Sequence, residues 1–320
     1  MQQLPPADYA LIEPLFADLA PLHGSVRAVL GGTAEGEVLV DSDTNPTLAI
    51  LRGPEGVYVA GEPTPGAAAA AHEELDGWEY VIADPRLDAV IGTLLPHAYM
   101  QPHQRVRLAA SPANAPRPPL PAGYTYAPGD EPLAVNIMHG EQVVARCAPD
   151  LAIGTYAEIG ISTDPDHRRK GLATAAVRAA LSAASAAGFT EIGWHCLASN
   201  RGSLAVARAA GFVETHRYRA YAEILPAENP GDLTPAACRM HAERLEPGVT
   251  DHVWLGFHVA GAWSQAGETE RALAAVERLV TSGWQGRAEW LEAHWSLAPL
   301  RTEPRFIAAV AAHRARTTQS

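Results

Sequence analysis

Hydrophobic and polar positions change their rhythm twice along the 320 residues. Over residues 1–110, short apolar runs predict strands near 26–31, 36–41, 46–53 and 56–61, punctuated by the turn signals GGTAEGE, DSDTNP and RGPEG. A helix is predicted ahead of them near 8–22. Helices near 66–75 and 86–95 follow, with the strand WEYVIAD between them. This is an α+β unit without a chemical motif. From residue 123 the period of two returns in GYTYA, AVNIMH, EQVVARC and TYAEIGIST. Alternation in the last of these places Glu158, Gly160 and Ser162 on one face and Ile159 and Ile161 on the other. A helix from about 169 to 187 carries Leu172, Ala176, Ala179 and Ala183 at helical spacing and stops at Gly188. The strand TEIGWHCL, the helix NRGSLAVARAAG and a last strand or hairpin in FVETHRYRAYAEIL complete a βαβα order with a mixed sheet.

Beyond about residue 225 the period is helical throughout. DHVWLGFHVAGAWSQAGETERALAAVERLVTSG divides at Gly267 into two helices, and further helices are predicted near 286–296 and 303–315. Ala260, Trp263, Gly267, Ala272, Val276 and Leu279 fall at offsets resembling one tetratricopeptide repeat, with small residues for close approach and Trp263 to fill the groove. One such unit cannot bury its own face, so it must stack on the later helices or on a neighbouring domain. GFHVAG at 256–261 has no strand before it and reads as helix packing, not as a dinucleotide loop. The proline-rich SPANAPRPPLPAGY and the break LPAENPGDLTP give the division: 1–110, a linker at 111–122, 123–225 and a helical 226–320.

Composition narrows the partners. Hydrophobic residues make up 47% and charged residues 19%, and no apolar run reaches the roughly 18 residues that would span a bilayer, so a cytoplasmic protein without membrane contact is expected. Cys147, Cys196 and Cys238 are odd in number and far apart, and the thirteen histidines show no paired ligand spacing. Neither a disulfide framework nor a metal site is indicated. The net charge of −12 belongs mostly to residues 1–110, with 5 Arg against 15 acidic residues, which argues against nucleic acid and allows attraction of cationic small molecules.

Against that acidity, Arg168, Arg169 and Lys170, the one lysine of the chain, stand together where a strand gives way to a helix. The first amides of a helix lack intrahelical partners and bind anions. Gly171 removes a side chain where phosphate oxygens approach the backbone, and Ala173 keeps the next contact small. A pyrophosphate would fit there.

The spacing Arg168-x-x-Gly171-x-Ala173, preceded by Pro165 and the strand Glu158-Ile159-Gly160-Ile161, resembles the acetyl-CoA motif of the GCN5-related N-acetyltransferases, the GNAT superfamily. The match extends to Asn200 and to the pair Gly211-Phe212, and together covers residues 123–225. The two stretches look most like the zwittermicin-resistance branch, in which a less catalytic amino-terminal half precedes the acetyltransferase half. The resemblance implies a GNAT-type mixed sheet with flanking helices, preceded by a degenerate GNAT-like α+β domain and followed by the all-α segment. It implies acetyl-CoA as co-substrate. The amides of Arg169, Lys170, Gly171, Leu172, Ala173 and Thr174, with Arg168 beside them, would hold the pyrophosphate. The pantetheine would run along Ile159, Ile161 and Thr163, pairing like an added strand, with Asn200 and Ser203 at the following helix. Asn200 would contact the pantetheine or position that helix.

By the same resemblance Glu158 would accept the amine's proton or anchor a cationic substrate, and an amide near Gly160 or Ile161 would stabilise the oxyanion. The family's usual tyrosine, seven residues after the asparagine, is Ala207 here. Tyr218, Tyr221, His195 and His216 are the other candidates for general acid. His195 and Cys196 are not expected to act as a nucleophilic pair, because neighbours on a strand face opposite ways. Trp194 is expected in the core. The two helices that usually cover the acceptor have no room between GYTYA and NIMHG, so the acidic first domain or the carboxy-terminal helices would wall that pocket. The resulting expectation is acetyl transfer to a small amine by direct attack in a ternary complex. The alternatives are a non-catalytic acyl-CoA-binding interaction protein, or an enzyme acting on a protein partner recruited by the carboxy-terminal helices.

Overall fold

A computed structural model of the chain describes residues 1–76 and 80–317. The chain divides into two compact units, one of residues 1–96 and 104–220, the other of residues 97–103 and 221–320.

The first unit opens with β1 (Gln2–Gln3), α1 (Gly24–Leu30), β2 (Glu37–Val40), β3 (Leu48–Gly53), β4 (Gly56–Gly61), α2 (Pro65–Glu74), β5 (Val81–Ala83), α3 (Ile91–Leu94) and β6 (Gln101–Ala110). Its later part comprises β7 (Tyr124–Pro128), β8 (Val135–His139), β9 (Gln142–Ile153), β10 (Tyr156–Thr163), α4 (Leu172–Ala186), β11 (Glu191–Leu197), α5 (Arg201–Ala209) and β12 (Val213–Ala222). All twelve strands form one sheet in the order β1-β2-β3-β4-β5-β12-β6-β11-β10-β9-β8-β7. In each half an antiparallel meander ends in a strand–helix–strand step with parallel pairing, β4–α2–β5 and β10–α4–β11. The halves also exchange strands: β12 lies between β5 and β6, and β6 lies between β12 and β11.

Most expected strands form where the alternation places them. Four expectations need correction. Residues 26–31 are helical, because Val26 and Val29 are buried one turn apart and the apolar run is not paired with any strand. The helix expected near 8–22 is a 3₁₀ turn over Pro6–Leu11 followed by further turns. Tyr9, Ile12, Phe16 and Leu19 keep the helical spacing of buried positions, but Pro14 lacks the amide that a continuous helix needs. The helix near 86–95 is only the 3₁₀ turn Pro85–Leu87 and the single turn of α3. β6 was not anticipated at all, although it runs for ten residues. Of the strand expected at 78–84, Val81–Ala83 is present and residues 78 and 79 lie outside the described residues.

The cores follow the two faces of the sheet. Ala157, Ile159, Trp194 and Cys196 pack under α4 with Leu172, Ala176 and Val177, as alternation requires. Val26, Val29, Tyr58 and Ile82 belong to a separate core built from the first half. The second unit carries α6 (Pro235–Leu245), α7 (Leu255–Gln265), α8 (Thr269–Thr281), α9 (Ala288–Ala293) and α10 (Pro304–Thr317). The chain does break at Gly267, between α7 and α8. Ala260, Trp263, Ala272 and Val276 are fully buried there, and the Arg271 guanidinium lies 3.4 Å above the Trp263 ring.

Candidate active site

Two features of the first unit meet at β10. The first is the turn that leaves it. After a 3₁₀ turn over Pro165–His167, Arg169 takes φ = 64° and Gly171 takes φ = 78°, and α4 begins at Leu172. Left-handed residues alternating with ordinary ones turn successive amides toward one side, the kind of concave cradle that suits an anion, here at the start of a fifteen-residue helix. Arginine in the left-handed region is strained by about 1 kcal/mol, so this conformation is imposed by its surroundings. Leu172 is buried and pins the helix, whereas Arg168, Arg169, Lys170 and Gly171 are exposed and Ala173 and Thr174 half-buried. Arg168 donates to the Thr163 carbonyl at 3.1 Å, and the Lys170 ammonium donates to the Tyr124 hydroxyl at 3.0 Å and the Asp166 carbonyl at 3.2 Å.

The second is a divergence of strands. β10 and β11 pair in parallel only through Tyr156↔Glu191, Ala157↔Ile192 and Glu158↔Gly193, although one continues to Thr163 and the other to Leu197. Past Glu158, among the described residues, no strand pairs with Ile159, Ile161 and Thr163 on that side. An extended arm can add itself there. At the far end of β11, Asn200 caps α5 by accepting from the Ser203 amide at 2.8 Å, and the Ser203 hydroxyl accepts from the Trp194 indole at 2.9 Å. Asn200 thus caps the start of α5.

Where the strands part, a cavity of about 110 Å³ opens on the face opposite α4. Glu158, 2% exposed, projects into it. Its Oε1 accepts from the Tyr156 hydroxyl at 2.5 Å and from the Gly24 amide, the first of α1, at 2.9 Å. A Cβ on Gly193 would lie 2.3 Å from the Tyr156 hydroxyl, so only glycine lets this tyrosine reach Glu158. His195 follows on the same face of β11, with Nε2 3.6 Å from Glu158 Oε1 and Nδ1 2.9 Å from the Tyr218 hydroxyl, which in turn accepts from Arg105 Nε at 3.1 Å. Because Arg105 can only donate, the Tyr218 proton goes to His195 Nδ1. The imidazole then carries its own proton on Nε2, aimed at Glu158. Cys196 faces the opposite core, as expected.

Most of the remaining wall comes from the first half of the chain, through His23, Glu55, Tyr58, Tyr80 and Arg105, and Asp150 adds to it from β9. Burial, then the neighbouring His195, pulls the His23 imidazole down to about 3, so it is neutral. Glu55 is pushed up to about 10 by burial and by its contact with Glu158. Burial alone would raise Glu158 too, but its contacts with His195, Glu55 and Tyr156 outweigh that and hold it below the usual carboxylate range. Of the two carboxyls, Glu55 therefore keeps its proton and Glu158 is ionised. Burial raises the Tyr218 hydroxyl.

Glu158 and Tyr218 are therefore brought together, while Tyr221 is buried in the second unit and does not line the cavity. His216 is exposed on β12. Sequence reasoning missed His23, Glu55, Tyr156 and Arg105, none of which lies in a motif. Ala207 is fully buried, and no helix separates β7 from β8.

Residues 131–221 match the family model described as GNAT acetyltransferase. The solved structure of a GCN5-related N-acetyltransferase-like protein from Streptococcus suis 89/1591 superposes with a TM-score of 0.53 at 18% identity, covering 68% of this chain and 98% of that one. The chain therefore carries a GNAT acetyltransferase fold. A GCN5-related N-acetyltransferase from Sphaerobacter thermophilus is similar at 17% identity over 69% of this chain and 93% of that one, with a TM-score of 0.49. A tandem GNAT protein from the clavulanic acid biosynthesis pathway is 13% identical over 68% and 96%, also with a TM-score of 0.49. No curated protein matches the sequence. No helix among the described residues is long and apolar enough to cross a membrane.

Proposed function

We propose that the chain is an acetyl-CoA-dependent N-acetyltransferase acting on a small amine in a ternary complex, with residues 1–110 a degenerate copy of the same fold. The carrying observation is the position of Glu158, an ionised carboxylate at the point where β10 and β11 part, at one end of an open strand edge whose other end is the 169–174 cradle. The repeated strand–helix–strand step in each half supports the second clause.

Acetyl-CoA supplies a thioester carbonyl. The amides of residues 169–174 and the cations of Arg168 and Lys170 hold its pyrophosphate, and Ile159, Ile161 and Thr163 offer main-chain groups to the pantetheine. The acceptor binds as an ammonium and first gives one proton to solvent; the neutral amine nitrogen then attacks the carbonyl, a C–N bond forms, the C–S bond breaks, and the nitrogen's second proton goes to the thiolate. A carboxylate held below its ordinary range is a weak base but a strong anchor for an ammonium group. Glu158 thus binds and orients the acceptor. Its line of contacts to His195 and Tyr218 provides the proton path, with the Tyr218 hydroxyl, polarised by Arg105, as the acid. The first half of the chain, not a pair of covering helices, walls the acceptor pocket.

Calorimetric titration of CoA into the full chain, followed by thiol release from acetyl-CoA across a panel of amines, tests the reading. Heat on CoA addition and amine-dependent thiol release are expected. Absence of CoA binding overturns it, and binding without release from any amine or peptide replaces it with a non-catalytic acyl-CoA-binding protein.

A further inference from the structure

The cavity beside Glu158 leaves a buried carboxylate oxygen without a donor and carries acid at two depths. At its floor, Glu158 Oε2 and His23 Nε2 are buried without a hydrogen-bond partner among the described residues, and both side chains are at most 2% exposed. An unpaired buried carboxylate oxygen is costly, so the floor favours a group that brings N–H donors and a positive charge. An ammonium is such a group, and the rings of Tyr58, Tyr80 and Tyr218 around it favour a cation as well. Arg105 does not compete for the floor, since its guanidinium is committed to the Tyr218 hydroxyl and lies 4.9 Å from the Tyr80 ring centre.

The second acid is Asp150, exposed and also lining the cavity. It is the extra residue of a bulge: Glu158 pairs with Leu151 and Ile159 with Pro149, so Asp150 has no partner on β10. Its carboxylate occupies the space that a side chain at residue 160 would fill, 2.7 and 2.8 Å from where a Cβ on Gly160 would stand. Residues 158 and 160 share a face, and two residues of strand advance about 7 Å, so the Asp150 carboxylate stands one pleat repeat further along β10 than the base of Glu158. A short chain with a cationic group at each end can meet both.

We infer that the acceptor is a short unbranched α,ω-diamine, its inner ammonium seated between Glu158 and His23 and its outer ammonium at Asp150 on the rim. The inference rests on the acetyltransferase reading for the chemistry, but the cation-binding geometry stands on its own. A slender diamine threads the narrow cavity; an amino sugar, with its ring at the reacting nitrogen, does not.

The test uses the full chain at pH 8 with CoA present, and the probes are 1,4-diaminobutane, butylamine and glucosamine. Calorimetry is expected to show 1,4-diaminobutane binding at least about tenfold more tightly than butylamine, as one charge-assisted contact more would give, with glucosamine weakest. In Asp150→Asn, and in Gly160→Ala, where the new Cβ displaces the Asp150 carboxylate, the diamine-to-monoamine ratio is expected to collapse to about one. Circular dichroism checks that both variants fold. The same amines are then compared by thiol release from acetyl-CoA. Diamine preference in binding with no thiol release leaves the diamine inference standing and sinks the acetyl-transfer reading. Thiol release in which butylamine or glucosamine equals the diamine, or a diamine preference untouched by both variants, overturns the inference and leaves acetyl transfer intact.

Discussion

Replacing Glu158 by glutamine separates a working carboxylate from a structural one. The side chain keeps its shape and one acceptor oxygen, so the Gly24 amide and the Tyr156 hydroxyl still have a partner. Each bond loses its charge assistance, about 1 kcal/mol when bonds to charged groups are worth about 2 and neutral ones about 1, for a cost of about 2 kcal/mol. Against this, Glu158 is 2% exposed and the only basic group that the described residues place within ion-pair distance is His195, 3.6 Å away and hydrogen-bonded to Tyr218. Removing a buried charge that lacks a cationic partner recovers part of a desolvation penalty of several kcal/mol. The recovery offsets only part of the loss, so E158Q is expected to cost no more than about 2 kcal/mol, a shift in Tm of a few degrees for a unit of this size. Acetyl transfer should instead fall by about 10² to 10⁴, the range typical of proton-transfer and charge-anchoring groups. Calorimetric melting is the appropriate stability assay, because two compact units can give more than one transition. Thiol release gives the activity. A loss of more than about 4 kcal/mol, with residual activity tracking the folded fraction, would show that Glu158 holds the fold together and does no chemistry.

Three further outcomes follow from the same structure. Glu55 is raised from 4.5 to about 10, so its favourable contribution is complete below pH 4.5 and is lost as pH rises toward 10; Glu55→Gln should therefore gain stability relative to the parent steadily across that window in urea titrations, and a flat difference would mean that Glu55 does not keep its proton. His241, buried in the second unit with Nε2 against the Glu223 carbonyl, is pulled by burial to about 4. The unfolded chain then binds the extra proton between pH 6.5 and 4, stability falls on acidification by up to about 1.4 kcal/mol per pH unit for this one group, and His241→Gln should flatten the urea-midpoint profile there by about one proton. At the cradle, Gly171→Ala meets nothing within 4 Å and should cost only the left-handed backbone, about 1 kcal/mol, while Arg169→Gly should gain about as much; both should weaken CoA binding in calorimetry, and unchanged affinity in both would remove the cradle from the site.

The two halves of the site were unequally legible. The cradle could be read because it is local: Gly171, the cations beside it and the start of α4 lie within seven residues, and the backbone rule that links them needs no tertiary contact. Glu158 could be read for the same reason, from its distance to Pro165 and from the period of two along β10. The cavity could not. Gly24 donates to a carboxylate 134 residues away, and its segment looked like a strand because Val26, Val29 and Leu30 suit either element. β6 escaped notice because its arginines interrupt the apolar alternation. Yet Arg105 and Arg107 are there to meet partners on β11 and β12: Arg105 reaches Tyr218, and Arg107 bonds Thr215 and Glu191.

That interruption has a structural cause which joins fold to function. Because β6 of the first half sits between β11 and β12 of the second, any polar residue on its inner face is delivered next to His195 and Tyr218 without leaving the sheet. The same exchange puts Tyr58 and Ile82, on the strands beyond β12, at the cavity wall. Under the proposed reading the strand exchange stands in for the covering helices that the short turn between β7 and β8 cannot hold: the first half, without a motif of its own, supplies cavity wall, the neutral His23, and the proton-bearing Glu55 whose contact helps to hold Glu158 ionised.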